Sequence, residues 1–248
     1  MPTNFISQKN RFNSMTMKLP LLALISGLLL TTSSINLVQA QPNLYQQALD
    51  KTKTENFDSA IQDFTQASEW FYDNKDYANA YKSSFLADYL NHQEIRRNAF
   101  LQGENPFLPS WYKMGRCLGD DCPYGVLWAN PSPLGGRFGG VLILEKYLRL
   151  VYREENSGIP ISAIFDVQIV PALAPGEIIM SDCLNLSQSQ EMNSPIVALV
   201  QPRGDEDKEY FKNIRKAWKI NLNTPTFEAV SPNNLENIAC PNPCPNGC

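Results

Sequence analysis

Six cysteines constrain this chain more than any other feature: Cys117, Cys122, Cys183, Cys240, Cys244 and Cys248. Paired, they decide which distant stretches must meet; reduced, they imply metal or redox chemistry instead. The compartment decides between these outcomes, and the other end of the chain bears on that. Residues 1–40 contain Lys9, Arg11 and Lys18 and no acidic residue, then the apolar run LPLLALISGLLL and a polar stretch ending Val38-Gln39-Ala40. A charged start, a short apolar middle and a small-x-small exit describe a secretory signal peptide cleaved after Ala40. The apolar run is too short for a spanning helix, which needs ~20 residues. Met15 or Met17 as the true start would make the leader tidier, and an uncleaved N-terminal anchor is the alternative. No cysteine lies near the cleavage site, so a bacterial lipid anchor is not expected. The reading places the mature chain in the periplasm or outside the cell, with no stable membrane span, where disulfides form and persist.

Cys117 and Cys122 flank LGDD, a turn-like loop across which a local bridge is easy. Cys183 ends a strand-like run and Cys240 follows the last apolar residues, so a bridge between them would staple the chain's end onto a sheet. Cys244 and Cys248 are left to each other. In the chain-entropy model the long closure is worth ~4 kcal/mol and the short one ~2, against a typical total stability of ~5–15 kcal/mol. The tail ACPNPCPNGC therefore reads as a clasp with Cys240 its working member. The rival is a redox or metal tail, held extended by Pro241, Pro243 and Pro245. Against it, the chain has no C-x-x-C, and zinc wants four ligands where the tail offers three thiols and no nearby histidine. No metal or cofactor is expected.

The formal net charge is −4, and loss of the leader would remove three positive charges more. No long basic run exists, so nucleic acid is excluded as a partner, because neutralising phosphates needs clustered Lys and Arg.

Two rhythms divide the rest. In ENFDSAIQDFTQASEW, Phe57, Ala60, Ile61, Phe64, Ala67 and Phe71 recur at three- and four-residue steps and share one face of a helix. Before it, NLYQQALDKTKT places Leu44, Ala48 and Leu49 on one face, with a short polar break at residues 54–56. This stretch resembles a tetratricopeptide repeat (TPR): Ala48 takes the small position of the first helix, Phe57 the aromatic after the turn, and Ala60, Phe64 and Ala67 the second-helix set. Small residues let two helices approach while aromatics fill the space beside them. Lys51 stands where the family usually has an aromatic, and Glu55 where it usually has glycine. DYANAYKSSFLADYLNHQ looks like the first helix of a further repeat, with Ala80, Tyr81 and Phe85 fitting loosely, and EIRRNAFLQG like a shortened second helix. The resemblance covers about one and a half repeats over residues 43–102, against the three or more that a free-standing array needs, so the helices must lean on something. A generic helical cap without repeat ancestry is the alternative.

Residues 103–109 (GENPFLP) form a breaker-rich linker, and residues 110–248 read as mainly β. GGVLILEKYLRLVYRE, IPISAIFDVQIVP, GEIIMSDCL and SPIVALVQP have strand composition, and WKINLNTPTFEAV reads as a hairpin. DEDKEYFKNIRKAW, with an acidic start and Tyr210, Phe211 and Ile214, predicts one short helix. The expected fold is α+β: a signal peptide (1–40), antiparallel TPR-like helical hairpins (41–102) and a disulfide-stapled β-rich domain, sandwich or half-barrel. In the order of its pieces this half is similar to C-terminal segments of uncharacterised exported bacterial proteins. The shared pieces are the strand ending in Cys183, IVALV, Trp218-Lys219-Ile220, FEAV and Ile238-Ala239-Cys240. The likeness implies no activity.

Candidate chemistry is sparse. His92 is the only histidine; it is read as a cation near a helix C-terminus, with no nucleophile motif beside it. Asp120 and Asp121 could bind calcium or act as acid and base, though turns commonly expose aspartate. Asp205, Glu206, Asp207 and Glu209 read as a solvated helix start. GGRFGG (135–140) reads as a turn, since it precedes a strand rather than a phosphate-cradling helix. Trp111, Tyr112, Tyr124 and Trp128 cluster near the short cysteine loop and could form a sugar- or peptide-binding face with Asp120 and Asp121; a core beneath the loop is the plainer reading. The TPR resemblance implies a protein or peptide partner and a scaffold or binding role. An envelope-polymer hydrolase or ligand-binding protein, using carboxylates and aromatics of the β half, is the alternative. Oligomeric state is not legible.

Overall fold

The computed structural model describes residues 42–104, 112–119, 121–130, 138–154, 157–187, 194–243 and 245. Three helices come first: α1 (Pro42–Lys53), α2 (Phe57–Asp73) and α3 (Tyr77–Leu101). The residues of the repeat-like pattern are interior, with Ala48, Ala60, Phe64 and Ala67 all 0% exposed. Lys51 and Glu55, the two departures, each have a contact of their own. Lys51 Nζ lies 2.6 Å from Asp63 Oδ2 on α2. Glu55 sits in the α1–α2 turn at φ 58, a left-handed conformation that favours glycine, and its carboxylate takes Arg149 in a two-pronged ion pair.

The expected shortened second helix from EIRRNAFLQG does not form separately; α3 runs unbroken through it. Nothing in that stretch stops a helix: no glycine or proline occurs between Tyr77 and Leu101. His92 is consequently well inside α3, not near a C-terminus.

Among the described residues, ten strands follow in two antiparallel sheets. The first is a meander of β1 (Tyr112–Leu118), β2 (Tyr124–Ala129), β3 (Phe138–Glu154) and β4 (Ser157–Pro171). The second comprises β5 (Ile178–Asn185), β6 (Ile196–Val200), β7 (Tyr210–Phe211), β8 (Ile214–Asn221), β9 (Thr226–Ala229) and β10 (Ile238–Pro241), in the order β7-β10-β5-β6-β8-β9. The β8–β9 hairpin forms as expected. The short helix expected at DEDKEYFKNIRKAW does not: its residues form a turn, β7 and the start of β8. Asp205 explains why. Its carboxylate accepts the backbone N–H of Lys212 at 2.9 Å, its carbonyl accepts that of Lys208, and its side chain pairs with Lys208. These bonds close a turn instead of starting a helix, and Phe211 then pairs with Cys240 across the ladder. A 3-10 helix lies instead at Pro232–Asn237.

The layers explain the sequence of β3. Val141 and Ile143 pack against the helices, while Leu142 and Leu144 face the second sheet, where Trp218, Ile220 and Leu199 complete an inter-sheet core. A strand covered on both faces loses the apolar–polar alternation of a half-exposed one, hence the run VLIL, all four 0% exposed. The helices thus lean on the first sheet. Among the described residues, no helix is long and apolar enough to cross a membrane.

Two local devices hold the first sheet in register. At the start of β3, Gly140 has φ +119, and a Cβ there would lie 2.2 Å from Ala129 O; one at Gly139 would lie 2.4 Å from Pro171 O. The expected turn at 135–140 is corrected here: residues 138–140 already belong to β3, and the glycines let it pass between β2 and β4. On β4 the register slips beside Phe165, which interrupts the ladder at Ile164. Thr52 on α1, 0% exposed, fills the gap: its hydroxyl accepts Ile164 N–H at 3.0 Å and lies 2.7 Å from Leu49 O and 3.3 Å from Ile164 O as donor.

Both described disulfides are those expected. Cys117–Cys122 closes the β1–β2 turn, and Cys183–Cys240 joins β5 to β10 inside the outer core. Cys183 does not end its strand; β5 continues to Asn185. Cys244 and Cys248 lie outside the described residues, so the suggested pair between them does too.

Candidate functional site

The aromatic and acidic residues singled out around the cysteine loop do not gather into one cavity. Trp111 and Asp120 lie outside the described residues. Tyr112 begins β1, its backbone opposite Ala129. Asp121 is exposed in the β1–β2 turn at φ 59. Tyr124 and Trp128 stand four residues apart on β2, roughly 13 Å along a strand, and both pack into the inter-sheet core. Tyr124 meets Phe165 edge-on at 6.2 Å between centroids, and Trp128 donates its indole N–H to Gly139 O at 3.2 Å.

A cleft does form elsewhere, between α3 and the first sheet, with a volume of about 180 Å³. Helical spacing builds one wall. Tyr89, His92, Gln93 and Arg96 recur at three- and four-residue steps, extending the face on which Phe85 and Leu86 join the core. Strand alternation builds the other. Glu145 and Tyr147 continue the helix-facing parity of Val141 and Ile143, and Ser162 sits opposite Tyr147 on β4. Gly125, opposite Glu145 on β2, opens the floor. A Cβ at Gly125 would come within 2.9 Å of Tyr147 Oη and 3.1 Å of Glu145 Oε1.

Tyr89, 5% exposed, donates its hydroxyl proton to Glu145 Oε2 at 2.8 Å. Burial pushes the Glu145 carboxyl above the ordinary carboxylate range, opposed by hydrogen bonds from Tyr89 and Ser162 and by the charge of Arg96. Arg96 Nε is buried without a hydrogen-bond partner among the described residues. A buried N–H left so costs roughly 1–3 kcal/mol, and an acceptor brought by a ligand would recover it.

A second depression of about 300 Å³ lies along the second sheet near Lys219, Glu228 and Asn234. Glu228 and Asn234 there are exposed, so water already satisfies them. The α3 cleft is the stronger candidate because its charged groups, Arg96 and Glu145, are partly buried.

Sequence reasoning missed this site, although two signals were present. One is a polar stripe at helical spacing on a face that is apolar one turn earlier. The other is a carboxylate, Glu145, at the helix-facing position that follows the apolar Val141 and Ile143 on β3. Comparison with protein-family models, with curated proteins and with solved structures finds no match.

Proposed function

We propose that this chain is an exported binding module whose TPR-like helices and first sheet together hold a small polar ligand, or one polar group of a larger partner, in the α3 cleft. One observation carries the reading: a carboxyl and a guanidinium, Glu145 and Arg96, line one cleft, and the buried guanidinium Nε–H is unsatisfied among the described residues. A carboxyl raised by burial, set beside a charged partner in a cleft, is a candidate functional site. The two disulfides support export. The packing bears on where a partner would bind: α1 and α3 lie against the first sheet, so their inward face is covered within the chain.

Binding is favoured over hydrolysis of an envelope polymer. Glycoside hydrolysis ordinarily uses two carboxylates flanking one bond, whereas the cleft brings one, and Asp121 is exposed in the β1–β2 turn instead of lining it. The test is a chemical-shift titration of the oxidised full chain with neutral sugars, zwitterionic amino acids and dipeptides, and dicarboxylates. Saturable shifts at Tyr89, Arg96 and Glu145, weakened at least tenfold by Gly125→Ala, support the reading. No saturable shift in that cleft from any class refutes it, and the appearance of a product would move the chain to the enzymes.

A further inference from the structure

Resting on that reading of the α3 cleft as a ligand site, we infer that its ligand is a neutral polyhydroxylated ring, a single sugar unit, bound between Arg96 and Glu145. Charge comes first. With its carboxyl ionised, Glu145 offsets the positive charge of Arg96 in the same cleft, and the pair then presents no net charge. A ligand carrying only a carboxylate would gain Arg96 and be repelled by Glu145, and a lone ammonium would meet the reverse. A zwitterion would need both its charges at matching positions and would have to shed two strong hydration shells, several kcal/mol for each ion. A sugar hydroxyl carries no such burden. It donates to the carboxylate and accepts from a guanidinium N–H at once, so two neighbouring hydroxyls satisfy both residues. Charge-assisted bonds of this kind are about twice as strong as neutral ones.

The remaining lining fits the same ring. Gln93 offers both an amide donor and an acceptor, and Ser162 a hydroxyl. Tyr147 and Pro160 add apolar surface for the C–H face of a pyranose. Size agrees as well: drug-sized ligands occupy roughly 300–1,000 Å³, and this cleft of about 180 Å³ admits one small ring. Gly125 belongs to the same design, because any side chain there would push Tyr147 and Glu145 into the space the ring would fill.

The titration above contains the decisive arms. Glucose, galactose and N-acetylglucosamine are the neutral probes, alanine and dialanine the zwitterions, and succinate the anion. The expected result is saturable binding of at least one neutral probe, with shifts at Tyr89, Gln93 and Glu145. Arg96→Met and Glu145→Gln should each weaken it at least tenfold, and Asp121→Asn should leave it unchanged. Binding of alanine, dialanine or succinate in the cleft with none of the sugars overturns the sugar assignment and leaves the binding module standing. Silence from every probe overturns both. Should Arg96→Met fail to fold, the wild-type shift map alone decides.

Discussion

Replacing Thr52 with valine removes one hydroxyl while keeping the shape of the side chain. That hydroxyl hydrogen-bonds α1 to the interrupted ladder of β4: it accepts Ile164 N–H at 3.0 Å, with Leu49 O at 2.7 Å on its donor side. Thr52 and Ile164 are both 0% exposed, so no water replaces it. Stranding the Ile164 N–H costs roughly 1–3 kcal/mol, and the net hydrogen-bond loss adds about 1. The expected total is about 2–4 kcal/mol, a large share of a typical stability of ~5–15 kcal/mol. At about 2–4 °C per kcal/mol for a chain of this size, Tm should fall by roughly 4–16 °C. Urea unfolding with both disulfides intact measures it, and amide exchange at Ile164 should accelerate with it. Thr65→Val is the control: Thr65 is exposed and bonds only within α2, so its effect should stay within about 0.5 kcal/mol. A Thr52→Val protein equally close to wild type, with Ile164 still protected, would refute the docking role.

Three further outcomes are expected. Serine at Cys183 and Cys240 together should cost about 4 kcal/mol, and serine at Cys117 and Cys122 about 2, read as denaturation midpoints; equal losses would undo the clasp argument. Gly140→Ala should cost roughly 3 kcal/mol or more, because a backbone carbonyl stands where the Cβ must go and φ is strained for any other residue; thermal unfolding measures it, and a neutral result would mean that the start of β3 can move. Glu145 should leave a pH signature. Its carboxyl is raised in the folded chain, so the folded state keeps a proton that the unfolded state releases near pH ~4.3. Stability is therefore lost as pH rises from there through the raised value. Glu145→Gln cannot ionise, so its stability relative to wild type should climb as pH rises above about 4, and parallel curves would contradict the burial.

Much of the architecture was legible because short-range rules carry it. The helix periodicity around Phe57–Asp73 reports which side faces a core, whatever that core is. VLIL at residues 141–144 reports a strand covered on both faces. The disulfide pairs followed from loop geometry and strand position. Misreadings arose where a long-range contact outweighed a local signal. Acidic residues before Tyr210 look like a helix start until Asp205 binds Lys212 N–H and β7 finds β10. GGRFGG looks like a turn until β2 and β4 crowd it.

The candidate site shows the division most clearly. The residue types were in plain view, since a single histidine and a glutamate directly after the apolar run VLIL are easily noticed. Their meeting was not, because Arg96 and Glu145 are brought together only when α3 lies across β3. From its own letters the chain determined periodicity, strand content and an oxidisable framework, all of which depend on neighbours a few residues apart. Tertiary structure alone decided which face of α3 meets which face of the first sheet. That choice depends on how separate elements share one buried surface, and no window along the sequence contains it.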